Sequence, residues 1–200
     1  MNLVPQDLID YWIGVACFER DYLESKNKLW FFKNPTTDHY IIDHFSFLFA
    51  EFEKGNLSLW EENQQGRLAL IILLDQFSRN AYRGTPKMYQ YDTRALEISL
   101  KTQKRNDFNT YHTMEKILFF LVLEHAENLE YQNASCLFFK NQIELVPSEV
   151  RDIFELHYDY ALKHQVIIKR FGRFPHRNEI LGRISTAQEK EFLKGPHSSF

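Results

Sequence analysis

Cysteine, glycine and long apolar runs are all scarce in this chain of 200 residues. Its two cysteines, Cys17 and Cys136, lie far apart with no C-x-x-C spacing and no paired histidines nearby. Neither a zinc site nor a disulfide framework is indicated, and both thiols are expected to be reduced, small and buried. The longest apolar runs, Leu68 to Leu74 and Ile117 to Leu123, fall far short of the roughly 20 residues that a membrane helix needs. The first residues carry Asp7 and Asp10 rather than the basic-then-apolar pattern of a secretory signal. A soluble, cytoplasmic protein with no membrane partner is expected. Patterns for serine hydrolases (G-x-S-x-G), zincins (H-E-x-x-H), P-loops and Rossmann nucleotide sites are missing too. A formal charge of −3 demands no polyanionic partner, so no nucleic acid is expected.

What the chain does have is aromatic bulk, with 18 Phe and 10 Tyr against 7 Gly. A chain of this length buries roughly 70% of its unfolded surface, so a core filled by rings is expected. Apolar residues recur at three and four, and strand-like alternation is nearly absent. The spacing predicts a helix from Pro5 to about Asp21, then an apolar island at Trp30-Phe31-Phe32 that covers the core. Further helices are predicted over about 37–54 with a stop at Gly55, and from Ser58 with Glu61 as a capping box. Others follow over about 67–83 with a stop at Gly84 and Pro86, and over about 91–104, 113–123 and 129–145. A long helix starts at Pro147 and ends near Lys169, and Thr186 with Glu189 caps a last one. The result is one all-α domain over residues 1–200, eight to nine helices in antiparallel helical hairpins.

Charge is unevenly spread. Residues 1–66 carry 11 acidic and 5 basic side chains, net −6, whereas Lys163 to Arg183 carry six basic residues against Glu179, net +5. The basic stretch is expected either to pair with the acidic N-terminal part or to bind an anion.

Three segments concentrate chemistry. In Leu73 to Pro86, Asp75 and Arg79 have the spacing of a helical ion pair, with Arg83 a further turn along. If Asp75 neutralises one guanidinium, the other is left to hold a carboxylate or phosphate. Asn80 lies on the same segment. In Phe171 to Arg183, Gly172 and Pro175 form a rigid bend that aims Arg173, His176 and Arg177, with Asn178 as a helix cap and Arg183 close behind. Neighbouring arginines favour a neutral, base-competent His176. His125 and Glu127 emerge where an all-apolar helix ends, suited to acid–base work but too few for a metal site. His157 and His164 read as satisfied core histidines, and no cofactor is implied. Purely structural readings stand beside these: an Asp75–Arg79 lock, and phenylalanines anchoring the bend.

Several blocks resemble one family: Trp12-Ile13-Gly14, Trp30-Phe31, Asp75-Gln76-Phe77 with Arg79-Asn80, Arg83-Gly84-Thr85-Pro86, Asp92, His125 with Glu127, and Phe171 to Asn178 with Leu181-Gly182-Arg183. Over about residues 8 to 193 the chain is similar to the mostly bacterial domain of unknown function family 924. The resemblance implies a tetratricopeptide-like, right-handed arrangement of helical hairpins, without an established activity or an assigned catalytic residue. The chain departs from the family pattern at Ser78, where proline is usual, and at Ala126, where serine is usual.

Three function readings follow. The first is a site for a small anionic metabolite, with His125, Glu127 and His176 as acid–base groups. Its ligand-binding residues are Asp75, Arg79, Asn80, Arg83, Arg173, Arg177, Asn178 and Arg183, and its reaction, if it is an enzyme, is acid–base or hydrolytic. The second is a scaffold for a peptide or protein partner. The third leaves the motifs purely structural.

Overall fold

A computed structural model describes residues 4–196, Ser198 and Ser199. The remaining positions of the 1–200 assignment lie outside the described residues. Among the described residues the structure is helical without strands, as the periodicity predicts. The α-helical segments are α1 (Pro5–Trp12), α2 (Arg20–Phe31), α3 (Pro35–Phe45), α4 (Phe47–Glu53), α5 (Gln64–Ile71), α6 (Ser78–Ala81), α7 (Asp92–Gln103), α8 (Thr113–Glu124), α9 (Leu129–Leu145), α10 (Arg151–Phe171) and α11 (Ala187–Phe192). Short 3₁₀ turns sit between several of them, and a π-helical turn, Ile72–Phe77, fuses α5 and α6 into one rod.

The first boundary differs from expectation. The helix predicted to reach Asp21 stops at Trp12, where Gly14 takes a left-handed φ of 69° and both Ile13 and Gly14 donate backbone hydrogen bonds to Ile9 O. The chain becomes helical again at α2. The predicted 37–54 helix is likewise two pieces, divided at Ser46. Ser58 is not a cap: it lies inside a 3₁₀ turn entered from Leu57, and Glu61 instead pairs with Arg94. By contrast, Gly172 ends α10 at φ 70°, and Thr186 with Glu189 forms the expected capping box of α11. Of the two thiols, Cys136 is buried as expected, whereas Cys17 follows the break after α1 and is half-buried.

The two apolar runs lie at the centre. α5 packs against α1, α7 and α8, and α8, α9 and α10 pack on one another in chain order. All of Leu68 to Leu74 is buried, because a helix apolar on every face must be enclosed on every face. Rings fill the space between rods: Phe77 meets the Trp12 ring edge-on at 5.3 Å and the Phe45 ring at 5.0 Å, and Phe120 stacks on Phe138 at 3.8 Å. A fully buried ring such as Phe77 contributes roughly 1.5–3 kcal/mol of transfer free energy. A small second cluster, Ile167, Ile168 and Phe174, sits under the C-terminal bend.

Charge pairing does not follow the expected N-to-C pattern. The basic stretch finds its carboxylates in the middle and C-terminal parts of the chain: Asp92 for Arg177, Glu127 for Arg183, Glu189 for Arg173 and Asp159 for Lys163. The N-terminal acids look elsewhere, Asp38 to Arg83 and Glu61 to Arg94. Among the described residues, no helix is long and apolar enough to cross a membrane.

Candidate functional site

The site begins with a fault in a helix. Within Ile72–Phe77 the backbone widens, so that Ser78 N–H donates to Leu73 O, five residues back. A π turn releases carbonyls from the regular ladder, and these must find other donors. Side chains supply them: Ser78 Oγ donates to Leu74 O at 2.7 Å, Arg79 Nη1 to Asp75 O at 3.1 Å and Asn80 Nδ2 to Gln76 O at 2.9 Å. The polar residues of the first motif are thus partly committed to repairing their own helix.

Asp75, on this turn, is 1% exposed. It accepts hydrogen bonds from Gln76 Nε2 at 2.6 Å and His125 Nδ1 at 2.8 Å, with Arg79 Nη1 at 3.4 Å. Burial works against its charge, but the adjacent Arg79, His125 and Gln76 more than reverse that and hold the carboxyl well below the usual range. An ionised Asp75 only accepts, so Nδ1 of His125 carries the proton. Burial and then the Arg79 charge lower the His125 pKa despite the opposing pull of Asp75. The neutral ring therefore keeps its lone pair on Nε2, the nitrogen turned away from Asp75. This is the orientation that a buried carboxylate imposes on a histidine base.

α7 and the 3₁₀ turn Pro86–Tyr89 bring up the next layer. Asp92 clamps Arg79 through two hydrogen bonds of 2.9 and 3.1 Å and also receives Arg177 Nη1 at 3.3 Å. One carboxylate therefore serves two guanidiniums. Arg177 lies against the Tyr89 and Phe174 rings, 4.6 and 4.4 Å from their centroids. It is 6% exposed, its Nε has no partner among the described residues, and burial followed by repulsion from Arg79 lowers its pKa. Arg83, by contrast, is held by Asp38 at 2.7 and 2.9 Å and by Asn80 Oδ1 at 2.9 Å.

These groups border a cleft of about 480 Å³. Gln76, Arg79, Asn80, Arg83, Tyr89, Glu124, His125, His176 and Arg177 form its polar side, and Trp30, Phe31, Leu121 and Phe139 its apolar side, with Phe32 and Leu156 also lining it. The Trp30-Phe31-Phe32 island thus does two jobs: Trp30 enters the core while Phe31 and Phe32 stay exposed along the cleft. Burial drives His157 and His176 each to a pKa of about 4 and His164 to about 3. His157 Nε2 bonds Asn27 Oδ1 at 2.7 Å and His164 Nδ1 lies 2.9 Å from Tyr160 O, but His157 Nδ1 is buried without a partner among the described residues, so it is only half satisfied, and both rings line the cleft. A second hollow of about 340 Å³ lies against Asp75, Asp92 and Glu127, and Tyr89, His125 and Arg177 border both.

The C-terminal motif divides. His176 and Arg177 line the cleft, but Arg173 is engaged by Glu189 at 2.7 and 2.9 Å and by Ile184 O. Arg183 is clamped by Glu127 at 2.6 and 2.9 Å, and Glu127 also accepts Phe174 N at 2.8 Å. Glu127 is therefore a brace for the bend, facing the second hollow rather than the cleft. Asn178 does not cap a helix; its Nδ2 donates to Ser185 Oγ at 3.0 Å. Among the described residues no group of three or more His, Cys, Asp or Glu side chains is arranged to hold a metal ion.

A family model described as bacterial protein of unknown function (DUF924) matches residues 8–197. The chain belongs to this family. A solved structure of a protein of unknown function from Agrobacterium tumefaciens is 30% identical to this DUF924 member with a TM-score of 0.77, covering 96% of this chain and 97% of that one. No curated protein matches the chain.

In this DUF924 member, Glu124, Tyr89 and Asp92 join the site although their own sequence surroundings do not single them out for it. Glu124 carries a legible mark: it is an acid in the last turn of an apolar helix, where the dipole disfavours a negative charge. Tyr89 carries none and Asp92 stands out only as part of a family block, since their meaning comes from the guanidiniums they meet.

Proposed function

We propose that the cleft is a small-molecule site in which Arg177 takes an anionic or strongly accepting group and the Asp75–His125 pair acts as a general base. The observation that carries this reading is the under-bonding of Arg177. A guanidinium has five donors in a rigid fork, and this one is nearly buried with, among the described residues, a single 3.3 Å bond to a carboxylate already clamping Arg79. Burying unpaired donors is costly, and a bound oxyanion would satisfy them. The local charges of Arg79 and Arg177 are balanced by Asp75 and Asp92, so affinity would come from the missing hydrogen bonds rather than from a broad positive field. Trp30, Phe31 and Phe139 suit an apolar body on the same ligand.

Thermal-shift screening against phosphorylated and carboxylated metabolites tests this. Hits should stabilise the wild type and lose that effect in Arg177→Gln, while Asp75→Asn should retain binding with the base disoriented. Stabilisation by none of them, or equal stabilisation of Arg177→Gln, would overturn the reading.

A further inference from the structure

Glu124 ends α8, one residue before His125, and both side chains line the cleft. It is 3% exposed. Oε1 lies 3.0 Å from His164 Nδ1, while Oε2 is buried and has no hydrogen-bond partner among the described residues. The distance alone would make this an ion pair, but the chemistry argues otherwise. The His164 ring is held neutral by burial, its Nδ1 also points to Tyr160 O, and the nearby charge of Asp75 repels a second carboxylate. An ionised carboxylate with one oxygen unpaired in such a place is strongly disfavoured. Burial and then Asp75 push the Glu124 pKa up to about 8, against a smaller opposing pull from the Ser135 hydroxyl. The Nδ1–H of His164 is directed to Tyr160 O, so the 3.0 Å approach of Oε1 is a close contact that supplies no full hydrogen bond, and the carboxyl keeps its own proton.

We infer that Glu124 is held as an uncharged carboxylic acid whose O–H donates to a ligand oxygen beside the Asp75–His125 base, fitting the cleft for keto–enol proton shifts on a 2-oxo acid with an apolar side chain. This rests on the reading of the cleft given above and adds the ligand class. The carboxylate meets Arg177, the side chain meets the Trp30 and Phe31 rings, and the oxo group meets Glu124. His125 Nε2 takes a proton from the carbon next to the carbonyl as Glu124 passes its own to the carbonyl oxygen. The C–H electron pair becomes the new C=C bond, and the C=O π pair becomes the new O–H bond. Protonated His125 then releases its proton to water and ionised Glu124 takes one from water, which restores both groups with no other reactant.

Two measurements on the full chain test this. The first is carboxyl ¹³C NMR of glutamate-labelled protein without ligand. A resonance assigned to Glu124, by its loss in Glu124→Gln or by through-bond correlation if that variant does not fold, should stay in the acid position at neutral pH and titrate well above the other glutamates. Titration among the ordinary glutamates overturns the assignment, whatever the cleft binds.

The second uses phenylpyruvate as probe, with enol formation followed by ultraviolet absorbance. Wild type should bind it and accelerate enolisation. Glu124→Gln, which keeps a neutral donor but no transferable proton, should bind comparably and lose about 10²-fold or more of the rate. Absence of binding by wild type overturns the ligand class while leaving the NMR result standing. Wild-type rates in Glu124→Gln overturn the proton transfer.

Discussion

Arg177 and Arg183 come from the same basic bend, and the structure treats them in opposite ways. Arg183 shares its carboxylate, Glu127, with a backbone N–H but with no other cation among the described residues, makes two short bonds to it, and adds a third to Phe174 O. Arg177 has a longer bond to a carboxylate already engaged by Arg79. Composition cannot separate these cases, because both are arginines of one short segment. What differs is the supply of acceptors within reach, and that is set by which helices the fold brings alongside. Both leave a buried Nε without a partner among the described residues, but the guanidinium that braces the fold makes three bonds where the one able to meet a ligand makes one.

The sharpest way to break this contrast is to remove the acceptor that organises the cleft. Asp75→Ala strips His125, Arg79 and Gln76 of a fully buried partner, and a loss of about 3–5 kcal/mol is expected by urea denaturation. Asp75→Asn keeps the shape and should cost less, so a similar loss in both would show that charge rather than packing is at stake.

The next effect is on pH. The pKa of His157 is about 4 in the folded protein against 6.5 ordinarily. Below 6.5 the unfolded chain binds a proton that the folded chain refuses, so stability must fall as pH drops from 6.5 to 4, by on the order of 3 kcal/mol for this residue. Glu124 acts with the opposite sign. Its folded pKa of about 8 lies above the ordinary 4.5, so its contribution is fully present below pH 4.5 and is lost as pH rises through 8. Urea midpoints across pH should therefore fall at both ends. His157→Phe should make the acid side shallower, His164 and His176 keeping their own shares of it, and Glu124→Gln should flatten the alkaline side.

The smaller effects address the two arginines directly. Arg183→Ala leaves Glu127 half-buried without its clamp and should cost about 1–2 kcal/mol after allowance for solvent. Arg177→Met keeps apolar contact with Tyr89 and Phe174 and leaves Asp92 still paired with Arg79. It should change apo stability by no more than about 1 kcal/mol, and a rise would agree with an under-bonded cation. Equal losses in the two variants, read by thermal denaturation without ligand, would erase the contrast.

Much of the architecture is legible in the chain because helices announce themselves locally. Leu129–Leu145 is bounded by its own apolar spacing, and Gly172 marks the end of α10 through its backbone freedom alone. The break at Gly14 escapes such a reading because the apolar residues continue past it, so periodicity keeps its phase while the backbone does not. At the site, Asp75 and Arg79 are visible as neighbours on one rod. The Asp75–His125 bond is not, because it joins positions 50 apart and depends on how α8 lies against the π turn. The same limit hides the separation of Arg173 and Arg183 from Arg177.

The widened turn at Ile72–Phe77 has one more consequence. A π turn holds one residue more than the α-helical path it replaces, and each residue of an α-helix advances the chain by about 100° around the axis. Deleting a single residue there would let the rod wind regularly with Arg79, Asn80 and Arg83 near their present headings, and would return to the backbone ladder the carbonyls that Arg79 and Asn80 now occupy. One extra residue thus trades backbone pairing for acceptors that tether the side chains bordering the cleft, and its removal would leave those side chains in place but untied.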